Sequence, residues 1–182
     1  MSELQRFLDD AYGLAKAGRW HTLLERWGHS PVLARRCSRY LNPSSGWTFL
    51  HQAAYFGHEK ASRLLIAGGA VIDVTGKDGR QPVDVAEQKG HKALAALLRK
   101  YATGRASSWC PPIDPDVLPS SSCWEEAQMV KAAFDFYIAY GGSGIRIPKG
   151  STYYVDSMDR VLVGWHGTFD PPCDMDGESL VD

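Results

Sequence analysis

The chain has 182 residues, 44% of them hydrophobic and 23% charged, with a formal net charge of −1. That is ordinary for a soluble globular protein of one or two domains with a real core. No apolar run approaches the roughly 18 residues a membrane helix needs, and Met1-Ser2-Glu3-Leu4-Gln5 lacks a secretory leader's basic-then-apolar pattern. A cytoplasmic or nuclear protein without a membrane partner is expected.

The near-zero total hides an asymmetry. Residues 1–105 hold 16 Lys and Arg against 9 Asp and Glu, a net +7, whereas residues 106–182 hold 4 against 12, a net −8. Such halves attract each other, or each attracts a partner of opposite sign. The four cysteines, Cys37, Cys110, Cys123 and Cys173, are irregularly spaced with no Cys-x-x-Cys pair. Free thiols in a reducing compartment are expected.

In chain order, Leu4, Phe7, Leu8, Ala11, Leu14 and Ala15 recur at helical spacing. Gly18-Arg19 follows, then Leu23-Leu24. Ser30-Pro31 offers an N-cap and a proline at the first helical position, which predicts another short helix.

The stretch Gly46-Trp47-Thr48-Phe49-Leu50-His51-Gln52-Ala53-Ala54-Tyr55-Phe56-Gly57-His58 has a counterpart 33 residues later, from Gly79 to His91. Gly46 pairs with Gly79, Ala53 with Ala86, Gly57 with Gly90, His58 with His91, and Leu64-Leu65 with Leu97-Leu98. Internal repetition at such a period is the mark of stacked repeats. On these residues the chain resembles the ankyrin repeat family over about residues 5–100, which implies units of a β-turn and two short antiparallel helices. Thr48 and His51 would hydrogen-bond each other at the start of the first helix, and Ala53 and Ala54 would let helices pack closely. Gly57 would end that helix at positive φ, and Leu64 and Leu65 would fill the interface with the next repeat. In the second unit Gln81 stands for Thr and Asp84 for His, so its local hydrogen bonds must differ. Residues 1–41 read as a degenerate first repeat, because Gly18-Arg19 replaces Gly-His and the 39 residues to Gly57 imply an insertion. Repeats 42–74 and 75–101 complete an ankyrin-repeat domain over 1–101, with helix pairs expected near 50–67 and 83–100.

Residues 102–123 read as a Pro/Ser-rich connector. Residues 124–140 read as one amphipathic helix, with Ser122 as N-cap, Glu125 and Glu126 at its positive end, and a stripe of Met129, Val130, Ala133, Phe134, Tyr137 and Ile138. Gly141-Gly142 would stop it. A short strand at 144–148 and a β-hairpin, 151–155 with 160–165, follow, and an acidic tail runs from Asp170 to Asp182. The fold class is therefore α+β: a short helical array, then a small region, 124–182, with one helix and a hairpin. Two and a half repeats are few for a solenoid, so this region is expected to dock on the array through the helical stripe.

Chemistry is sparse. His166-Gly167-Thr168 superficially resembles the nucleotide-holding motif of poly-ADP-ribosyltransferase-like enzymes, but no Tyr follows it and only Glu178 remains downstream. Cys173 near His166 would suit a thiol enzyme, or with Cys110 and Cys123 a zinc site, yet the spacings match no tight knuckle. Asp174-Met175-Asp176-Gly177 is not an EF-hand loop, Gly141-Gly142-Ser143-Gly144 sits on the wrong side of a helix for a phosphate cradle, and no Walker loop or Gly-x-Ser-x-Gly occurs. No catalytic residue, metal site or cofactor is assigned. In the ankyrin family the turn tip and the exposed side of the first helix form the concave partner face. Carried over, that gives Trp47, Gln52, Tyr55 and Phe56, then Arg80, Val85, Gln88 and Lys89 one unit on; exposed aromatics are common interface anchors. The expected function is a monomeric protein-interaction adaptor that binds a protein and no nucleic acid. The alternative is an enzyme in 124–182, ADP-ribosyltransferase-like or thiol-dependent, with the repeats recruiting its substrate.

Overall fold

The computed structural model describes residues 3–103, 116–121, 123–140 and 143–163. The chain divides into two compact units, Met1–Thr103 and Gly104–Asp182.

The first unit is helical. Helices α1 (Glu3–Lys16) and α2 (Trp20–His29) precede α3 (Pro31–Ser38), and the repeated units supply α4 (Phe49–Phe56) with α5 (Glu59–Ala67) and α6 (Pro82–Gln88) with α7 (Lys92–Thr103). The two expected helix pairs are present. The insertion of the degenerate unit is α3, which packs against α1, α2, α4 and α5. Ser30 is its N-cap and Pro31 its first residue, although the Ser30 hydroxyl makes no capping bond.

Alanines set the spacing of the stack. Ala53, Ala54, Ala61 and Ala86 are fully buried, so backbones approach closely where α4 meets α5 and α6. Tyr12, Trp20, Trp27, Tyr40 and Phe49 fill the wider space in the degenerate unit, with Tyr12, Tyr40 and Phe49 in tilted or edge contacts at 5.2–5.7 Å. Leu65 is 1% exposed, as expected, but its neighbour Leu64 is 40% exposed: one helical step of about 100° turns it outward.

The second unit, among its described residues, is built of strands. β1 (Val117–Leu118), β4 (Phe136–Tyr140) and β5 (Ser143–Ile147) form one sheet in the order β1-β4-β5. β2 (Ser120–Ser121), β7 (Val161–Leu162), β6 (Thr152–Val155) and β3 (Gln128–Lys131) form another in the order β2-β7-β6-β3. The expected hairpin is β6–β7, with Val155 opposite Val161.

The expected helix over 124–140 is not there. A single 3-10 turn (Trp124–Glu126) leads into β3, a bend at Ala133 and Phe134, and then β4. The same letters also fit an alternation: Phe136 and Ile138 are buried while Tyr137, between them, is 49% exposed. Ile147 and Ile145 stand opposite Phe136 and Ile138, and these four share a core with Ala132, Val161 and Val163. Aromatic and β-branched residues suit such a pleated, half-buried surface. The Asp135 carboxylate ties the bend to β5 and beyond, accepting from Arg146 at 2.5 Å and from the Lys149 backbone N–H at 2.7 Å. Met129 and Phe134, assigned to the apolar stripe, are about 60% exposed. With the helix goes the stripe that was to cover the repeats.

Candidate functional site

Each aromatic of the expected partner face is aimed by its local backbone. Trp47 closes a tight loop: Asn42 Oδ1 accepts from the N–H groups of Ser44 and Ser45, and the Asn42 N–H reaches the Trp47 carbonyl at 2.9 Å. The loop is tied to the next one, where Lys77 N donates to the Ser45 carbonyl at 2.9 Å and Lys77 Nζ to that of Pro43 at 2.6 Å. The Trp47 indole lies over Gly76, where a Cβ would stand 2.7 Å from the ring.

Thr48 then caps α4 as expected. Its backbone N–H and hydroxyl both reach His51 Nδ1, at 3.1 and 2.9 Å, and the His51 N–H returns to Thr48 Oγ1. With Nδ1 accepting, the ring proton sits on Nε2 and bonds the Arg80 carbonyl at 3.1 Å, joining this repeat to the next. Burial pushes the His51 pKa down. The second unit solves the same problem differently, as the exchanges at 81 and 84 required: the Gln81 N–H donates to Asp84 Oδ2 at 2.8 Å.

Trp47 stacks on His51 at 5.3 Å and stands 6.4 Å from Tyr55, which meets Phe56 at 5.1 Å. Tyr55 and Phe56 are 38% and 40% exposed, and Trp47 is half-buried. The Arg80 guanidinium lies 5.2 Å over the Trp47 ring and Lys89 Nζ 4.0 Å over the Tyr55 ring. Arg80 also donates to Asp78 at 2.7 Å and to Gln88 Oε1 at 2.6 Å. Trp47 Nε1 donates to the same Asp78 oxygen at 2.9 Å, and these donors, Arg80 first, hold the Asp78 carboxyl below the usual carboxylate range.

Six of the seven assigned residues thus share one surface: Trp47, Tyr55, Phe56, Arg80, Gln88 and Lys89. Gln52 does not join them. It is 7% exposed, and its amide donates to the Tyr12 hydroxyl at 2.9 Å, so it fastens α4 to α1. Val85 is buried as well. Sequence reasoning missed Asp78, which organises Trp47 and Arg80; its place in the turn two residues before Arg80 was the available signal. It also missed that Phe56 rests on Gly18, where a Cβ would lie 2.9 Å from the ring.

The residues weighed for catalysis and metal binding offer less. Cys37, which was not among them, is fully buried, and burial pushes its thiol up to about 12, which disfavours the reactive thiolate. Cys123 is a free, partly exposed thiol. Cys110, His166, Cys173 and the acidic tail lie outside the described residues. Among the described residues no three metal-ligating side chains gather, and no helix is long and apolar enough to cross a membrane.

The family model described as ankyrin repeats (3 copies) matches residues 24–106. Calmodulin-binding transcription activator 4 of Arabidopsis thaliana is 38% identical over 82 residues, which cover 42% of this chain and 8% of that protein. Calmodulin-binding transcription activator 6 of the same plant is 47% identical over 60 residues, 29% of this chain and 7% of that protein. Cyclin-dependent kinase inhibitor 2A of Homo sapiens is 39% identical over 71 residues, 39% of this chain and 46% of that protein. The chain therefore spans under a tenth of the plant relatives' length and under half of the human one's. With the paired helices, the Thr48–His51 cap and the 33-residue period, these matches make residues 24–106 a run of three ankyrin repeats, a protein-interaction module.

Proposed function

We propose that this protein is a non-enzymatic adaptor of the cytoplasm or nucleus, acting as a monomer, which binds a partner protein through Trp47, Tyr55, Phe56, Arg80, Gln88 and Lys89. The observation that carries the reading is the unbroken row of rings from Trp47 through Tyr55 to Phe56, partly exposed on helix α4 and its preceding loop. Exposed aromatics flanked by an arginine match the composition of interface hot spots, where a few such side chains supply most of the affinity. What the relatives' names state about calmodulin, transcription or kinases concerns proteins of which this chain matches only a part, and none of it is carried over.

The test is a pull-down from native cell extract with wild-type protein and a Trp47→Ala/Tyr55→Ala/Phe56→Ala variant whose helical circular dichroism is intact. A partner retained by the wild type and lost by the variant supports the reading. A partner retained equally by both places the binding site elsewhere.

A further inference from the structure

We propose that the partner segment held on this surface is an acidic peptide that carries an apolar anchor residue; this rests on the reading of the aromatic row as the partner site. Exposed aromatic rings are chemically ambiguous, because a ring face accepts either a cation or an apolar group. Here the ambiguity is resolved by what already lies on the rings. Lys89 Nζ stands 4.0 Å from the Tyr55 centroid and the Arg80 guanidinium 5.2 Å from that of Trp47. A partner's cation would have to displace one of them, or approach the Phe56 ring against like-charge repulsion from both, so a basic segment is disfavoured.

The surrounding charges point the same way. Asp78 is paired with Arg80, Glu87 with Arg99 and Glu59 with Arg63, while Asp84, held by the Gln81 N–H, lies in the first turn of α6 and offsets that helix's positive end. Lys89 has no carboxylate partner among the described residues, and neither do Lys16 and Arg19, which flank Gly18 where it packs on Phe56. The Tyr55–Phe56 pair therefore has uncompensated positive charge on both sides: Lys89 at the end of α6, and Lys16 and Arg19 at the end of α1. Lys16 and Lys89 each offset part of their own helix end, about half an elementary charge, so Arg19 and the remainder set the field. The apolar anchor belongs on the exposed edges of Phe56 and Tyr55, and the carboxylates over Lys89 and Lys16.

A nucleic acid is the less suited anion. Arg80 has its donors committed to Asp78 and Gln88, which removes the bidentate fork that phosphate or guanine would use.

The experiment selects a random peptide display library on the full chain and measures the selected peptides by titration. The expected result is enrichment of Asp and Glu around one aromatic or aliphatic residue, with affinity about tenfold weaker for Lys89→Glu, clearly weaker for Lys16→Glu, and falling as salt rises. Both lysines are exposed, so these variants should stay folded, with a melting temperature lower by no more than a few degrees from the reversed charge at each helix end. Basic or neutral consensus peptides, no enrichment at all, or displacement of the peptide by a duplex DNA oligonucleotide at equal concentration would each overturn the proposal. A neutral peptide that needs Tyr55 and Phe56 sinks only the acidic class. A selected peptide indifferent to Tyr55→Ala and Phe56→Ala sinks the aromatic site as well.

Discussion

His51 Nδ1 accepts the backbone N–H of Thr48 at 3.1 Å and lies 2.9 Å from its hydroxyl, inside a buried turn. A proton on Nδ1 would face the Thr48 backbone N–H, which can only donate, and burial lowers the ring's pKa from the ordinary 6.5, so the folded state favours the neutral ring. His58 is shifted the same way by burial, with its Nδ1 accepting the Ala61 N–H. Unfolded histidines take up protons near 6.5, while these two do so only at lower pH. Below 6.5 the unfolded state therefore binds more protons, and stability falls as pH falls; above about pH 7 their contribution is complete. The urea midpoint should drop between about pH 7.5 and 5.5, and less steeply in His51→Asn, which accepts but does not titrate. A flat wild-type midpoint over that window would remove the argument.

Gly57 and Gly79 both have positive φ, +68° and +79°, but different surroundings. A Cβ on Gly57 would lie 2.5 Å from His91, whose Nε2 bonds the Tyr55 carbonyl at 3.2 Å, whereas one on Gly79 meets nothing within 4 Å. Gly79→Ala should cost about 1 kcal/mol, the left-handed backbone alone. Gly57→Ala adds the steric conflict and should cost about 2–4 kcal/mol. Denaturant titration separates them, and equal costs would mean that His91 swings away freely.

The adjacent leucines of α5 make a similar pair. Leu65→Ala should destabilise by about 3 kcal/mol through the cavity it leaves, and Leu64→Ala by less than about 1 kcal/mol. Matching losses would show that Leu64 is covered in solution.

These contrasts mark what was legible in the letters. The helix pairs were, because their signals are local and repeat: glycine ends, the Thr48–His51 cap and the alanine spacing. Gln52 was misread because its burial is decided by Tyr12, 40 residues earlier in a unit whose sequence had drifted from the pattern. The segment 124–140, expected as one helix, forms strands from Gln128 on for a related reason. Its apolar positions satisfy a helical and an alternating period together, and the choice falls to Ile145 and Ile147, which lie outside the segment and pair with it across the sheet. Of the candidate site, the aromatic row was readable from the repeat, but the cations seated on its rings were not, since Lys89 and Tyr55 meet only when two repeats stack.

The β6–β7 turn isolates one buried carboxylate. Asp156 is 1% exposed; its Oδ1 accepts from the N–H groups of Met158 and Arg160 at 2.9 and 3.0 Å, and its Oδ2 from the Arg160 side chain at 2.8 Å. The turn and the ion pair thus hang on different oxygens of one residue. Asp156→Asn can keep the Oδ1 role but presents an amide to the guanidinium, while Asp156→Ala loses both. Removing one partner of a buried pair costs about 3–5 kcal/mol, and the 13% exposure of the Arg160 side chain lowers that, so the alanine variant should lose about 2–4 kcal/mol. The asparagine variant should lose roughly half as much. Amide hydrogen exchange gives the sharper reading: the Met158 and Arg160 amides should stay protected in Asp156→Asn and exchange freely in Asp156→Ala. Equal loss of protection in both variants would show that the charge on Asp156, rather than the geometry of its acceptor oxygen, holds the turn.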